Sequence, residues 1–365
     1  MQGLMRAVLL CRGSSQAASA AAAAAGSATF VFPALAAASA HPQRFLFAGI
    51  AQRRLSTSSP SASSSHGHAH SAASTPCNTV GDAGAGAGAA ASVGGGGEVG
   101  QLHVTVEPLS GVHEGVSIIS LSRPAARNAI GRQLLRELAE ALDTVRQERT
   151  TRCVLVRSVV PGVFCAGADL KERATMSQSE AAEFVSRIRR TFTELQDLPM
   201  PTLAVVEGLA LGGGAELALA CDIRVMGSGA SMAFPEAQLG IIPGAGGTQR
   251  LPRLVGASRA KELIFTGRRV TAAEALDMRL AEHVVPDDQV GGVYNRALQL
   301  AEQMVRSAPL SLRQAKVAVN RGLEVDLHTG LAMEEALYAQ LLPTRDRLEG
   351  LKAFAEKRKP DYKGE

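Results

Sequence analysis

Apolar and polar positions fall into a readable order from about Leu102 onward. Residues 103–106 alternate and stop at Pro108, and residues 116–121 form a second β candidate closed off by Pro124. Residues 123–130 read as a loop feeding a helix over about 131–148. There Leu134, Leu135, Leu138, Leu142 and Val145 share one face, and arginines and glutamates take the other. An apolar run over 153–159, broken by Arg157, predicts a buried strand. A loop follows over 161–169. Ser177 and Glu180 are spaced as a capping box for a helix to about Leu195. Pro199 and Pro201 interrupt the chain, and 202–207 predicts a third internal strand. The order β-β-α, β-α, β-α predicts an α/β domain with helices packed on sheets. Beyond Ala257 helices dominate. Thr271 and Glu274 make a second capping box, and helices are expected around 289–307, 309–322 and 326–342. The body therefore divides into a core over 101–288 and a C-terminal helical assembly region over 289–365.

The first hundred residues obey different rules. Residues 58–100 run Ser-rich and then Gly/Ala-rich, and they cannot bury enough apolar surface to offset ordering entropy, so a disordered linker is expected. Its alternating His66, His68 and His70 read as part of a solvated low-complexity tract and not as a metal site. Residues 1–57 are rich in Ala, Ser and Arg and hold no acid, the composition of an organelle-targeting presequence. Gln52-Arg53-Arg54-Leu55 resembles a matrix-peptidase site, which favours the mitochondrial matrix over a plastid. The Ala-rich stretch over 16–40 is too interrupted, by Ser, Gly26 and Pro33, for a secretory or membrane segment.

Charge follows the same division. The net charge is +4, yet residues 1–81 hold five arginines and no acid, which leaves 33 basic groups against 34 acidic ones in the remainder. The folded body therefore lacks the positive charge expected of a dedicated nucleic-acid binder. With 46% hydrophobic residues, 4% aromatics and no Trp, its core must be aliphatic. The five cysteines show no CxxC spacing and fit free thiols in a reducing compartment.

Two glycine-containing loops precede helices, one at 164–171 and one at 208–216. Glycine lets backbone approach a ligand closely, and a helix start offers unpaired N–H donors. Two such ends facing one point make a hole for a developing oxyanion; either alone is an ordinary strand-to-helix turn. Glu216 follows in the first turn of an apolar helix, among Leu217, Ala218, Leu219 and Ala220. A carboxylate there is either functional or a favourable helix N-terminal charge. Glu236 lies twenty residues on, in Phe234-Pro235-Glu236-Ala237, before the glycine-rich stretch 240–247. Two carboxylates in low dielectric suit acid–base work on a water.

The segments RPAARNA (123–129), FCAGADLKE (164–172), GLALGGGAELALACDIR (208–224), FPEAQLGIIPGAGGTQRLPR (234–253) and RDRLEGLKAFAEKRKP (345–360) resemble the enoyl-CoA hydratase/isomerase, or crotonase, family. They run in order from about residue 103 to the C-terminus. FCAGADLKER with LALGGGAELALACDIRV is most similar to the methylglutaconyl-CoA hydratase branch, a member of which is also described as binding AU-rich RNA. The resemblance implies an α/β fold built as a spiral of ββα units with a C-terminal helical trimerisation region, and assembly as a homotrimer or homohexamer. It implies an acyl-CoA substrate and no separate cofactor or metal. Ala168 and Gly213 match the oxyanion-hole donors. Ala168, Asp169, Leu170 and Lys171 match the segment lining the CoA site, with Gly213 beside it and Gly244 opening a further helix toward it. Glu216 and Glu236 match the two catalytic glutamates, so a hydratase is expected over an isomerase. Arg173 and Lys171 are close enough in sequence to meet a charged acyl tail, the CoA or solvent. Lys357 and Arg358 read as a solvated basic end.

The alternative of an RNA-binding protein needs a basic surface, and its candidate is the helix over 131–148. Its Arg132, Arg136 and Arg146, with Arg149 just beyond, are balanced by Glu137, Glu140, Asp143 and Glu148. RNA binding is therefore expected to be weak and to collapse on adding salt. A filter-binding titration of an AU-rich oligonucleotide between 50 and 200 mM salt checks this; tight binding that persists at the upper salt would overturn it.

Overall fold

The period-2 pattern at the start of the body closes into a hairpin. In the computed structural model, which describes residues 101–286, 288 and 292–365, β1 (Val104–Pro108) pairs antiparallel with β2 (Val116–Leu121), with Val104 opposite Leu121. The presequence and linker expected over 1–100 lie outside the described residues. A short 3-10 turn at Pro124–Ala126 leads to α1 (Arg132–Gln147), whose five predicted apolar positions are all buried. Next come β3 (Cys153–Ser158), β4 (Val163–Cys165), α2 (Leu170–Ala174) and α3 (Gln178–Gln196). The predicted box at the head of α3 forms in both directions. The Ser177 Oγ accepts the Glu180 N–H, and the Ser177 N–H donates to Glu180 Oε2 at 2.8 Å.

The chain then runs through β5 (Thr202–Val206), β6 (Leu209–Leu211), α4 (Gly213–Leu219), β7 (Ile223–Gly227) and β8 (Ser231–Ala233). A 3-10 turn at Pro235–Leu239 precedes α5 (Gly247–Val255), α6 (Ala257–Thr266), β9 (Val270–Thr271), α7 (Ala272–Asp277) and β10 (His283–Val285). The second predicted box, Thr271 with Glu274, caps α7. Four helices end the chain: α8 (Gly292–Val305), α9 (Pro309–Gly322), α10 (Leu327–Ala339) and α11 (Arg345–Glu356).

Two sheets organise these elements. One has the order β1-β2-β3-β5-β7-β10 and is parallel from β2 onward; the other has the order β4-β6-β8-β9. Each turn of the chain lays one strand in the large sheet, one in the small sheet, and then a helical segment: β3-β4-α2/α3, β5-β6-α4, β7-β8 and the 3-10 turn. The expected spiral of ββα units is this repetition. β4 and β6 lie inside stretches that read as loops, and β8 in one without an assigned element, because three residues are too few to display a period.

Both faces of the large sheet are covered, which explains its unbroken apolar strands. Ile119, Leu121, Val154, Val156, Ala204 and Val206 point to the main core with α1 and α3. Ile118, Leu155, Leu203, Val205 and Val225 point the other way, under Val293, Ala297, Leu298 and Ala301 of α8. The expected division after residue 288 thus falls before a helix that is packed into the body. From α9 onward the packing changes. No residue of α9 or α10 is buried, and Val319, Leu323, Leu327, Leu331, Tyr338 and Phe354 are exposed. Lys316 ties α9 back to the sheet, donating to Asp222 Oδ2 at 2.7 Å and to the Met200 carbonyl oxygen.

The described cysteines, Cys153, Cys165 and Cys221, are free and buried, and burial pushes each thiol up to about 12. On α1, Arg132 pairs with Glu172 and Glu180, Arg136 with Glu140, and Arg146 with Asp143. Leu138 is wholly buried at the centre of the α1 face. Leu138→Ala should lower unfolding free energy by about 2–5 kcal/mol with unchanged far-UV circular dichroism, measured by urea titration.

Candidate active site

Three backbone turns meet where the strands of the small sheet end. The first follows β4. Its Gly167 has φ +91, and a Cβ there would lie 2.6 Å from the Leu211 carbonyl oxygen, so only glycine lets this turn touch the next one. The Ile130 N–H donates to the Gly167 carbonyl oxygen at 2.7 Å, and the Asp169 N–H to the Ile130 oxygen at 3.0 Å. Asn128, wholly buried, fixes the same turn from below through Ser158 Oγ and the Phe164 carbonyl oxygen. The second turn follows β6, where Gly212 has φ +49. A Cβ on Gly213 would stand 3.6 Å from the Ala168 nitrogen, so the Ala168 and Gly213 amides lie side by side. Neither N–H has an acceptor among the described residues.

Glu216 follows in the first turn of α4 and is 3% exposed. Its Oε1 accepts the Ala245 N–H at 2.8 Å and the Gly247 N–H at 2.7 Å. Those donors belong to the third turn, the glycine-rich loop before α5. A Cβ on Gly247 would be 3.0 Å from Glu216 Oε1, another close approach that glycine permits. Two arginines hold this loop. Arg189 Nε donates to the Gly244 carbonyl oxygen, and Arg250 donates to the Ala245 carbonyl oxygen and to Gln196 Oε1 on α3.

Glu236 sits in the 3-10 turn and is 7% exposed. Its Oε1 would be 2.9 Å from a Cβ on Gly212, and its Oε2 has no hydrogen-bond partner. The two carboxylates are thus differently treated. Burial raises the pKa of Glu216, but the Gly247 and Ala245 amides pull it back by favouring the ionised form. Burial, reinforced by the Glu216 charge, raises Glu236 to about 7.

Ala168, Leu170, Gly213, Glu216, Glu236 and Gly244 all line one cavity of about 850 Å³. Asp169 and Lys171 do not. Asp169 caps α2, accepting the Lys171 and Glu172 amides, and pairs with Arg123 at 2.8 Å; Lys171 is exposed. Gly244 precedes its helix rather than opening it, since α5 begins at Gly247 behind Gly246. Arg358, read as a solvated basic end, is engaged by Glu349 and Glu356. The cavity also takes Arg173 from α2 and Val185, Ile188 and Arg189 from α3. Nothing in the pattern of α3 marked these residues, because its cavity-facing side mixes apolar and charged positions. No group of three or more His, Cys, Asp or Glu among the described residues is arranged to hold a metal.

A sequence profile of the enoyl-CoA hydratase/isomerase family matches residues 111–365. The chain belongs to that family. It is 51% identical over 261 residues to the human mitochondrial methylglutaconyl-CoA hydratase, covering 71% of this chain and 77% of that protein. It is 49% identical over 269 residues to the human mitochondrial enoyl-CoA hydratase domain-containing protein 2, covering 73% of this chain and 92% of that protein. Among solved structures, the enoyl-CoA hydratase of Bacillus anthracis superposes with a TM-score of 0.69 at 47% identity, covering 72% of this chain and all of that one. The fold is the α/β crotonase fold of these enzymes, with two mixed sheets and C-terminal helices.

The raised Glu236 pKa has a consequence for stability. Its folded value is about 7 against an ordinary 4.5, so the unfolded chain releases this proton first. The stability it contributes is full below pH 4.5 and is lost as pH rises through about 7, a loss of up to about 3 kcal/mol. Glu236→Gln, which cannot ionise, should therefore gain stability relative to the native protein between pH 5 and pH 8. Urea midpoints for the two proteins across that range check it; parallel pH profiles would contradict the assignment.

Proposed function

We propose that this protein is an enoyl-CoA hydratase that adds water across a 2-enoyl thioester, with 3-methylglutaconyl-CoA, an intermediate of leucine degradation, as its substrate. A short-chain enoyl-CoA of fatty-acid β-oxidation is the second candidate. The reading rests on one arrangement: two unpartnered amides and two unequal carboxylates on the same cavity wall. The Ala168 and Gly213 amides hold the thioester oxygen and stabilise the enolate as negative charge moves onto it. Glu216, whose two backbone donors favour its ionised form, accepts a proton from the attacking water as its hydroxide adds to the β-carbon. Glu236, protonated near neutral pH, donates its proton to the α-carbon. The proton on Glu216 returns to Glu236 through solvent, and the site is restored. Substrate polarisation comes from the thioester itself, so the mechanism uses no further cofactor.

An isomerase of the same family would need a single carboxylate to carry a proton between two carbons. Glu216, seated on two donors and facing the same cavity, is the residue that favours hydration. Mitochondrial relatives and the acid-free leader support placement in the mitochondrial matrix. The exposed apolar residues of α9 to α11 support assembly into trimers or hexamers through the C-terminal helices.

Loss of enoyl absorbance tests the reading directly, with crotonyl-CoA and 3-methylglutaconyl-CoA as substrates. The native protein should hydrate at least one, and Glu216→Gln and Glu236→Gln should each reduce kcat by roughly 10²- to 10⁴-fold. If the native protein hydrates neither substrate, the two-carboxylate argument fails.

A further inference from the structure

The loop that seats Glu216 has each carbonyl oxygen from Gly244 to Gly246 engaged. Arg189 Nε donates to the Gly244 oxygen at 2.9 Å, and Arg250 Nη1 to the Ala245 oxygen at 2.9 Å. The Gly246 oxygen accepts the backbone N–H groups of Gln249 and Arg250. A peptide unit is planar, so its oxygen and its N–H point in opposite directions. Arg189 therefore grips one end of the unit joining Gly244 to Ala245. The other end, the Ala245 N–H, donates to Glu216 Oε1 at 2.8 Å. A guanidinium, one peptide and a carboxylate stand in line. The Arg250 guanidinium lies against Gly246, where a Cβ would collide with Nη1. α3 anchors both arginines, because Arg189, Thr193 and Gln196 share one face of that helix. Gln196 Oε1 accepts Arg250 Nε at 2.7 Å, and Thr193 Oγ1 accepts Nη2 at 3.3 Å.

We infer that Arg189 and Arg250 are positioning residues that favour the charged form of Glu216 through the loop backbone, and so set how far into acid the hydration runs. This rests on the hydratase reading and deepens it. Hydrogen bonds in a chain polarise one another, and an ionised donor at one end strengthens the bond to an anion at the other. The charged groups facing Glu216 are Arg189 from α3, Arg250 from α5 and Glu236 from the 3-10 turn. Burial raises Glu216, while the Gly247 and Ala245 amides, and then Arg250 and Arg189, pull it back. Arg250 in turn faces Asp197 and Cys221, whose thiol burial pushes up to about 12 and keeps uncharged. Without the arginines, the buried Glu216 carboxyl takes up its proton at higher pH and the base is lost sooner on acidification. Glu236 works in the opposite sense. Its protonated form is the donor, so the alkaline limb of the rate profile belongs to it. Arg189 also lines the cavity, and contact with the nucleotide phosphates of CoA is its competing role.

The pH dependence separates these roles. In the full-length protein with crotonyl-CoA, Arg189→Met should lower kcat about tenfold at about pH 5, as loss of a bond from a charged donor requires. The gap should close toward about pH 8, with the alkaline limb unmoved. Arg189→Lys should recover part of the loss, and Arg250→Lys should show the same acid-side loss. A fall in kcat of equal size at every pH marks a purely structural role. A rise in KM alone, which disappears with crotonyl-pantetheine because it lacks the nucleotide phosphates, marks a CoA contact. Either result overturns the inference and leaves the hydratase reading in place. If the native protein hydrates no enoyl thioester, the hydratase reading falls, and the hold on Glu216 is still read by infrared titration of the carboxyl band that Glu216→Gln abolishes. A higher midpoint in Arg189→Met supports that hold, and an equal midpoint overturns it.

Discussion

The site depends on backbone touching backbone. Three turns from three successive passes of the spiral converge, and at Gly167 a side chain would collide with a main-chain oxygen of the neighbouring turn. At Gly212 and Gly247 it would crowd the carboxylates of Glu236 and Glu216. This exclusion of Cβ atoms brings the Ala168 and Gly213 amides side by side and carries the Ala245 and Gly247 amides onto Glu216. The short strands of the small sheet set the meeting point, since β4 and β6 end immediately before their turns. The large sheet, buried on both faces, supplies the rigid base from which those turns are launched.

The same convergence separates two chemically identical side chains. Glu216 and Glu236 are both buried and both raised. What differs is the donor set: two backbone amides for Glu216, and none for Oε2 of Glu236. Such unequal surroundings suit one carboxyl to the base role and the other to the acid role of the proposed reaction. Arg250 and Arg189 act one layer out. By holding the carbonyls of Ala245 and Gly244, they keep the amides of that loop aimed at Glu216.

Much of this was legible in the sequence, and the limits have physical causes. α1, α3, β2, β3 and β5 are long enough for their period or apolar run to show, and both capping boxes form as spaced. The apolar flanks of Glu216 and Glu236 marked them as unusual. Their meeting was not readable, because the chain between them runs out through β7 in the large sheet and back through β8, a three-residue strand that carries no period. Asp169 sits inside the motif yet serves the helix as its cap and Arg123 as its partner, so membership of a motif did not fix direction. The sheet face beneath α8 is what sets it apart from the helices after it: α8 packs on the large sheet, and no residue of α9 or α10 is buried.

A folded body usually satisfies its buried polar groups, so where it does not, the exceptions carry meaning. Here the cavity wall gathers three among the described residues: two amides without acceptors and a carboxylate oxygen without a donor. Each lacks a different complement. An acceptor oxygen would answer the amides, and a water would answer Glu236 Oε2. Scattered over the surface, these would be unrelated defects answered by solvent. Lining one largely apolar cavity, they are the groups that the proposed enoyl thioester would complement, with its carbonyl at the amides and its reactive carbons beside Glu236.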